Sequence, residues 1–344
     1  MRKYRIGLIC VMIAASGCFR QAVVVRDPLP DIVWPKHPEI ARVRFVNSIS
    51  RSNDLNIEEG AFKKIFRFLS GSREEDGISS PYGLETDVAG RLFVVDRMKK
   101  CVHVFDKEKG IYYAFPEKEI SLTSPIDIAI DERGYIYVSD SADAVVRVFK
   151  DRGKQYVRSL GGGFLKRPTG IAINSKTEEL LVVDTVWAVV VRYNLKDFQQ
   201  KGVIGEKGKE SGMFHSPTNI SVSRDGYIFV SDSLNFRVQV FTPDGKFIHS
   251  IGKPGDSPGY FSRPRGIAVD SDMNIYVVDA LFDNIQVFDK DGRLLMSFGV
   301  PGKKYGEFWL PSGIFIDQND YIYISDTYNN RVQIFQYLKL EEHN

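Results

Sequence analysis

The 344-residue sequence predicts an all-β fold: a six-bladed β-propeller of four-stranded blades, closed by an N-terminal strand that completes the last blade. Three observations predict it. Six prolines (Pro81, Pro125, Pro168, Pro217, Pro264, Pro311) recur at intervals of 43 to 49 residues. Each is followed, 15 or 16 residues on, by an aspartate: Asp96, Asp140, Asp184, Asp232, Asp279 and Asp326. The sixth copy stops one strand short, and a matching strand stands unused ahead of the first.

The fourth copy shows why the repeat is a sheet. Ile220-Ser-Val alternates, Arg224-Asp225-Gly226 turns, and Tyr227-Ile-Phe-Val-Ser231 is rich in β-branched and aromatic residues. Arg237-Val-Gln-Val-Phe241 gives a third strand, Thr242-Pro-Asp-Gly245 a hairpin turn, and Lys246 to Ile251 a fourth strand. Four short strands in each repeat of about 40–50 residues describe blades, which bury their two faces only by stacking around a ring. In the sixth copy the third strand, Arg331-Val-Gln-Ile-Phe335, runs to the end of the repeat. The missing fourth is expected from residues 42–50, whose Phe45-Val-Asn-Ser-Ile49 matches Phe247-Ile-His-Ser-Ile251 of blade four, and residues 42–49 are expected to pair with 331–336. Such pairing removes an exposed sheet edge.

The remaining segments divide the chain further. Residues 1–17 read as an export signal: Arg2, Lys3 and Arg5 precede an apolar run, Ile6 to Ala15, too short to span a bilayer. The segment Ala15-Ser16-Gly17-Cys18 resembles the lipobox of bacterial lipoproteins, with Ala15 where that family usually has Leu. The resemblance implies lipidation of Cys18 and membrane anchoring. With Phe19 after the cysteine, the expected location is the periplasmic face of an outer membrane. Residues 18–41, with four prolines, are expected to be an extended tether. Residues 51–78 form a linker in which Phe62, Ile65, Phe66 and Leu69 fall at helical spacing, predicting an amphipathic helix over about 57–69. The propeller covers 79–337, and 338–344 form a tail.

Composition narrows the function. Residues 18–344 carry 43 basic against 44 acidic residues, so the strong positive field expected of a nucleic-acid binder is absent. Cys101 is the one cysteine outside the signal and anchor, in a strand pattern where a buried, inert thiol is expected. No nucleophile elbow, phosphate loop, Cys-x-x-Cys pair or His-Glu-x-x-His helix occurs.

Asp232-Ser-Leu-Asn-Phe-Arg237-Val-Gln-Val-Phe241 and Asp326-Thr-Tyr-Asn-Asn-Arg331-Val-Gln-Ile-Phe335 resemble the signature of NHL-repeat propellers. The likeness covers residues 79–337; blades one, two, three and five depart at the Asn and Arg positions. It implies a binding module for proteins or RNA; with no positive field, a protein or peptide partner is expected. The repeated Asp is expected to cap the turn between the second and third strands. A related amidating lyase is a zinc enzyme that needs several histidines at the channel. The five here are His37, His103, His215, His249 and His343, and only His215 lies near a channel mouth.

Two sites are therefore expected. The loop into each innermost strand and the turn after each repeated Asp should open on one face. That gathers Trp187, Phe282, Tyr328, Trp309, Leu234, Leu281, Met98, His215 and Arg263 into a binding surface with no cofactor. The alternative is a metal-dependent hydrolase or lyase, with Glu85, Asp127 and Asn219 holding a divalent cation such as calcium in the central channel. Oxygen ligands from separate blades are what gluconolactonase-like propellers use.

Overall fold

A computed structural model describes residues 28–55, 57, 77–116 and 120–339. The expected signal, Cys18 and all but Ile57 of the expected helix lie outside the described residues. Each repeat forms an antiparallel meander. Blade one consists of Pro81–Thr86, Leu92–Asp96, Cys101–Asp106 and Ile111–Phe115. Among the described residues five of the blade sheets have four strands and the sixth has five, and a separate two-stranded parallel pair joins Val300–Pro301 to Glu307–Phe308.

The core lies between blades. Six buried apolar clusters form, one at each interface of adjacent blades. Alternation within a strand explains how. In blade three, Leu180 and Val182 pack toward blade two, whereas Leu181 and Val183 pack toward blade four. Second strands therefore read as unbroken apolar runs, because both of their faces are interior. At the narrow end of the channel the first strands touch backbone to backbone. A Cβ on Gly170 would stand 2.6 Å from the Asn219 Cα, so only glycine fits there.

Hydroxyl groups stitch neighbouring blades. The residue after the repeated Asp donates to the next blade's first-strand proline carbonyl: Thr185 to Pro217 (2.7 Å), Ser233 to Pro264 (2.6 Å) and Thr327 to Pro81 (2.9 Å). Ser141 does the same to Pro168. Blades one and five carry Arg97 and Ala280 at this position and have no such hydroxyl.

The ring closes as the fold class requires. Strand β2 (Val43–Ile49) pairs with Arg331–Tyr337, with Phe45 opposite Phe335 and Ile49 opposite Val332, and a bulge between Phe45 and Asn47. The segment ahead of it departs from the expected tether. Strand β1 (Val33–Trp34) adds a fifth strand beside β2, and Trp34 packs on Phe298 and Phe335 with ring centroids 5.7 and 5.8 Å away. Proline content pointed to an extended coil. The Trp-Val pair supplies apolar contact enough to dock it.

Candidate functional site

Each repeated Asp is fully buried and joins two loops. In blade three, one Asp184 oxygen accepts from the backbone N–H groups of Val186 and Trp187 in the turn after the second strand. The other accepts from Lys166 and Arg167 in the loop entering the first strand. Asp96 does likewise with Met98, Lys99 and Ser79, and Asp279 with Leu281, Ser262 and Arg263. The expected turn cap is thus half of the role. The aspartate also ties the incoming loop to that turn, which puts both on one face.

In blades four and six the rest of the repeat signature serves the same joint. Arg237 donates through Nε to Asp232 (2.9 Å) and through Nη2 to the carbonyls of Glu210 and Met213. Gln239 accepts from Gly212 N–H and donates to Met213 O. Arg331 and Gln333 repeat this around Asp326. In blade one His103 takes the glutamine's place, 3.2 Å from Asp96 and 2.8 Å from the Tyr112 hydroxyl. Burial alone would push Asp96 up, but hydrogen bonds from His103 and from Lys99 and Ser79 N–H hold it at about 2. Cys101 sits beside this cluster; burial pushes its thiol up to about 12, which keeps it protonated and unreactive.

What the joint presents to solvent is apolar. The second residue after the buried Asp is a large exposed hydrophobe in five of the six blades: Met98 (74%), Val186 (48%), Leu234 (51%), Leu281 (52%) and Tyr328 (58%). Blade two has Ala142 there. Trp187 and Trp309 are exposed beside them, while Phe282 and His215 are half-buried and Arg263 is exposed. Trp309 lies 5.7 Å from the Tyr328 ring, and Lys303 stands 5.1 Å over Trp309.

The channel opens on the opposite face. A cavity of about 710 Å³ is lined by the second halves of the first strands and by the turns that follow them. Ile130, Ile173, Val222, Val269 and Ile316, one from each of blades two to six, line its wall. Ala172, Ser221 and Ala268 line it beside them. Glu85 and Asp127 line the cavity and Asn219 does not. The Asn219 Oδ1 is buried with no hydrogen-bond partner among the described residues. Burial pushes Asp127 up to about 7, against a hydrogen bond from Ile171 N–H. Burial likewise holds Glu85 well above the usual carboxylate range, with the charges of Asp127 and Asp87 adding to it. Among the described residues no group of three His, Cys, Asp or Glu side chains is placed to hold a metal.

Comparison with known proteins agrees with this architecture. A family described as a 6-bladed β-propeller matches residues 207–285 and 271–341. A structural-genomics protein of unknown function from Bacteroides thetaiotaomicron is similar at 18% identity, with a TM-score of 0.62, covering 76% of this chain and 70% of that one. An auxiliary nutrient binding protein from the same organism is similar at 14% identity, with a TM-score of 0.61, covering 77% and 71%. Virginiamycin B lyase from Staphylococcus aureus shares 13% identity, with a TM-score of 0.57, covering 76% and 96%. No curated protein matches the chain by sequence. The chain is a six-bladed β-propeller. The NHL-like reading of its repeats is consistent with that class.

Proposed function

We propose that this propeller is a non-enzymatic binding scaffold of the cell envelope, anchored through a lipid on Cys18, which captures a protein or peptide on the face built by the joined loops. One observation carries the reading: a single position of the repeat, repeated around the ring, exposes a large hydrophobe in five blades. No core requirement places them there, since the buried Asp two residues earlier already fixes the turn. Exposed apolar and aromatic side chains gathered on one face are typical anchors of recognition surfaces. Similar propellers described as nutrient binding proteins support a binding role, while a lyase on the same fold shows that the fold alone does not decide.

Replacing Trp187 and Phe282 together by Ala tests this. A C-terminally tagged chain is expected to retain specific proteins from envelope extracts, and the double variant to lose them with its melting temperature unchanged. Equal retention by both chains would refute the binding face.

The orphaned Asn219 oxygen, and the two carboxyl groups Glu85 and Asp127 on the channel wall, favour a second reading, the divalent-cation site of a hydrolase or lyase. Calorimetric titration with calcium separates the two: heat of binding that disappears in Asp127→Asn supports the cation site, and the absence of heat removes it.

A further inference from the structure

Resting on the proposed binding face, we infer that the partner presents an acidic protein segment with apolar anchors. On the apolar face Arg97, Lys166, Arg167, Lys253, Arg263 and Lys303 are all exposed. Among the described residues none of the six stands within ion-pair distance of a carboxylate; three lie over aromatic rings, Arg97 on Tyr82, Lys253 on Tyr260 and Lys303 on Trp309. On the opposite face several cations are paired locally, Arg133 with Asp131 (2.7 Å), Lys196 with Glu178 (2.6 Å), Lys246 with Asp244 (3.0 Å) and Arg293 with Asp289 (2.7 Å), while Lys107, Lys176 and Lys290 are exposed with no ion pair among the described residues.

Carboxylates do occur on the apolar face, but most are already engaged. Asp143 pairs with Arg147, Asp283 accepts from Leu310 N–H, and Glu307 accepts from the N–H groups of Lys303 and Lys304. Among the described residues Glu206, Glu210 and Asp256 remain, and they lie in the long loops before blades four and five. Around the channel axis the hydrophobic ring is therefore interspersed with cations that no described carboxylate pairs. Arg167 is held next to the Val186–Trp187 turn by Asp184, and Arg263 next to Leu281 by Asp279. Charge placed this way steers an acidic partner and rejects a basic one, while the apolar side chains supply the contact area. Paired aromatic anchors such as Trp309 and Tyr328 suit side chains of a folded or extended peptide.

The test is selection of a displayed random-peptide library on the purified full-length chain. Peptides rich in Asp and Glu around aromatic or aliphatic residues are expected. Their affinity should fall by about tenfold or more in Arg167→Glu/Arg263→Glu, and remain unchanged in Lys107→Glu/Lys290→Glu, which alters net charge equally on the other face. Selected peptides that need Trp187 and Phe282 but are neutral or basic would overturn the charge inference and leave the binding face standing. Peptides indifferent to Trp187 and Phe282 would overturn the binding face itself. No enriched peptide, with Arg167- and Arg263-dependent sedimentation on phosphatidylglycerol vesicles, would make the partner a lipid surface and overturn the proposal. No binding of either probe would overturn it as well.

Discussion

At the scale of single residues, the repeated aspartate organises everything that faces solvent. It accepts from both the turn behind it and the loop before its blade, so the identity of the exposed residues is free to vary while their position is fixed. The sequence made the aspartate visible through its spacing and made the turn cap predictable. It could not reveal the second tie, because Asp184 and Arg167 are 17 residues apart and meet only after the sheet has formed. The channel carboxylates obey a different logic. An acid whose folded pKa is raised binds its proton more tightly folded than unfolded. Asp127, at about 7 in the fold against an unfolded value of about 3.9, is therefore neutral at no cost to stability below pH 4. Its penalty grows between pH 4 and 7 and stays constant above. Asp127→Asn should accordingly stabilise the protein at pH 8, by about 1–2 kcal/mol after allowing for water in the cavity, and change little at pH 4. Denaturant midpoints at the two pH values check it; an equal effect at both would mean that Asp127 is ionised throughout.

Between elements, the interfaces between blades hold the ring. Their apolar clusters were legible as alternation, since Leu180-Leu-Val-Val183 has no polar face and so must be covered on both sides. The hydroxyl stitches were not legible, because a Ser or Thr after an Asp reads equally well as a turn residue. Two blades lack the stitch, which gives a pair of opposite predictions. Thr327→Ala removes the bond to Pro81 O and should cost about 1 kcal/mol. Ala280→Ser places a hydroxyl where the repeat aims one at the next blade and should gain about 0.5–1 kcal/mol. Equilibrium unfolding of both variants measures this, and a loss from Ala280→Ser would show that blade five is packed too tightly to accept an oxygen. The docking of Trp34 was hidden for a related reason: proline-rich sequence signals an extended chain but does not say what the chain lies against.

For the whole molecule, the shared face depends on the ring being one closed body, since only closure puts turns from distant repeats side by side. Closure rests on β2, whose residues precede every repeat and pair with the third strand of the last. The strand count and the matching of Phe45–Ile49 to blade four made this predictable, and the register agrees with it. The cations beside the apolar ring that no described carboxylate pairs were beyond the sequence, because ion pairing depends on which loops become neighbours. The direct measurement is strand complementation: unfolding of the chain lacking residues 28–50, with and without a synthetic peptide of those residues. A ring closed by β2 should give a broad, weakened transition that the peptide restores to a single cooperative one; a sharp transition at the full chain's midpoint without the peptide would contradict closure by β2.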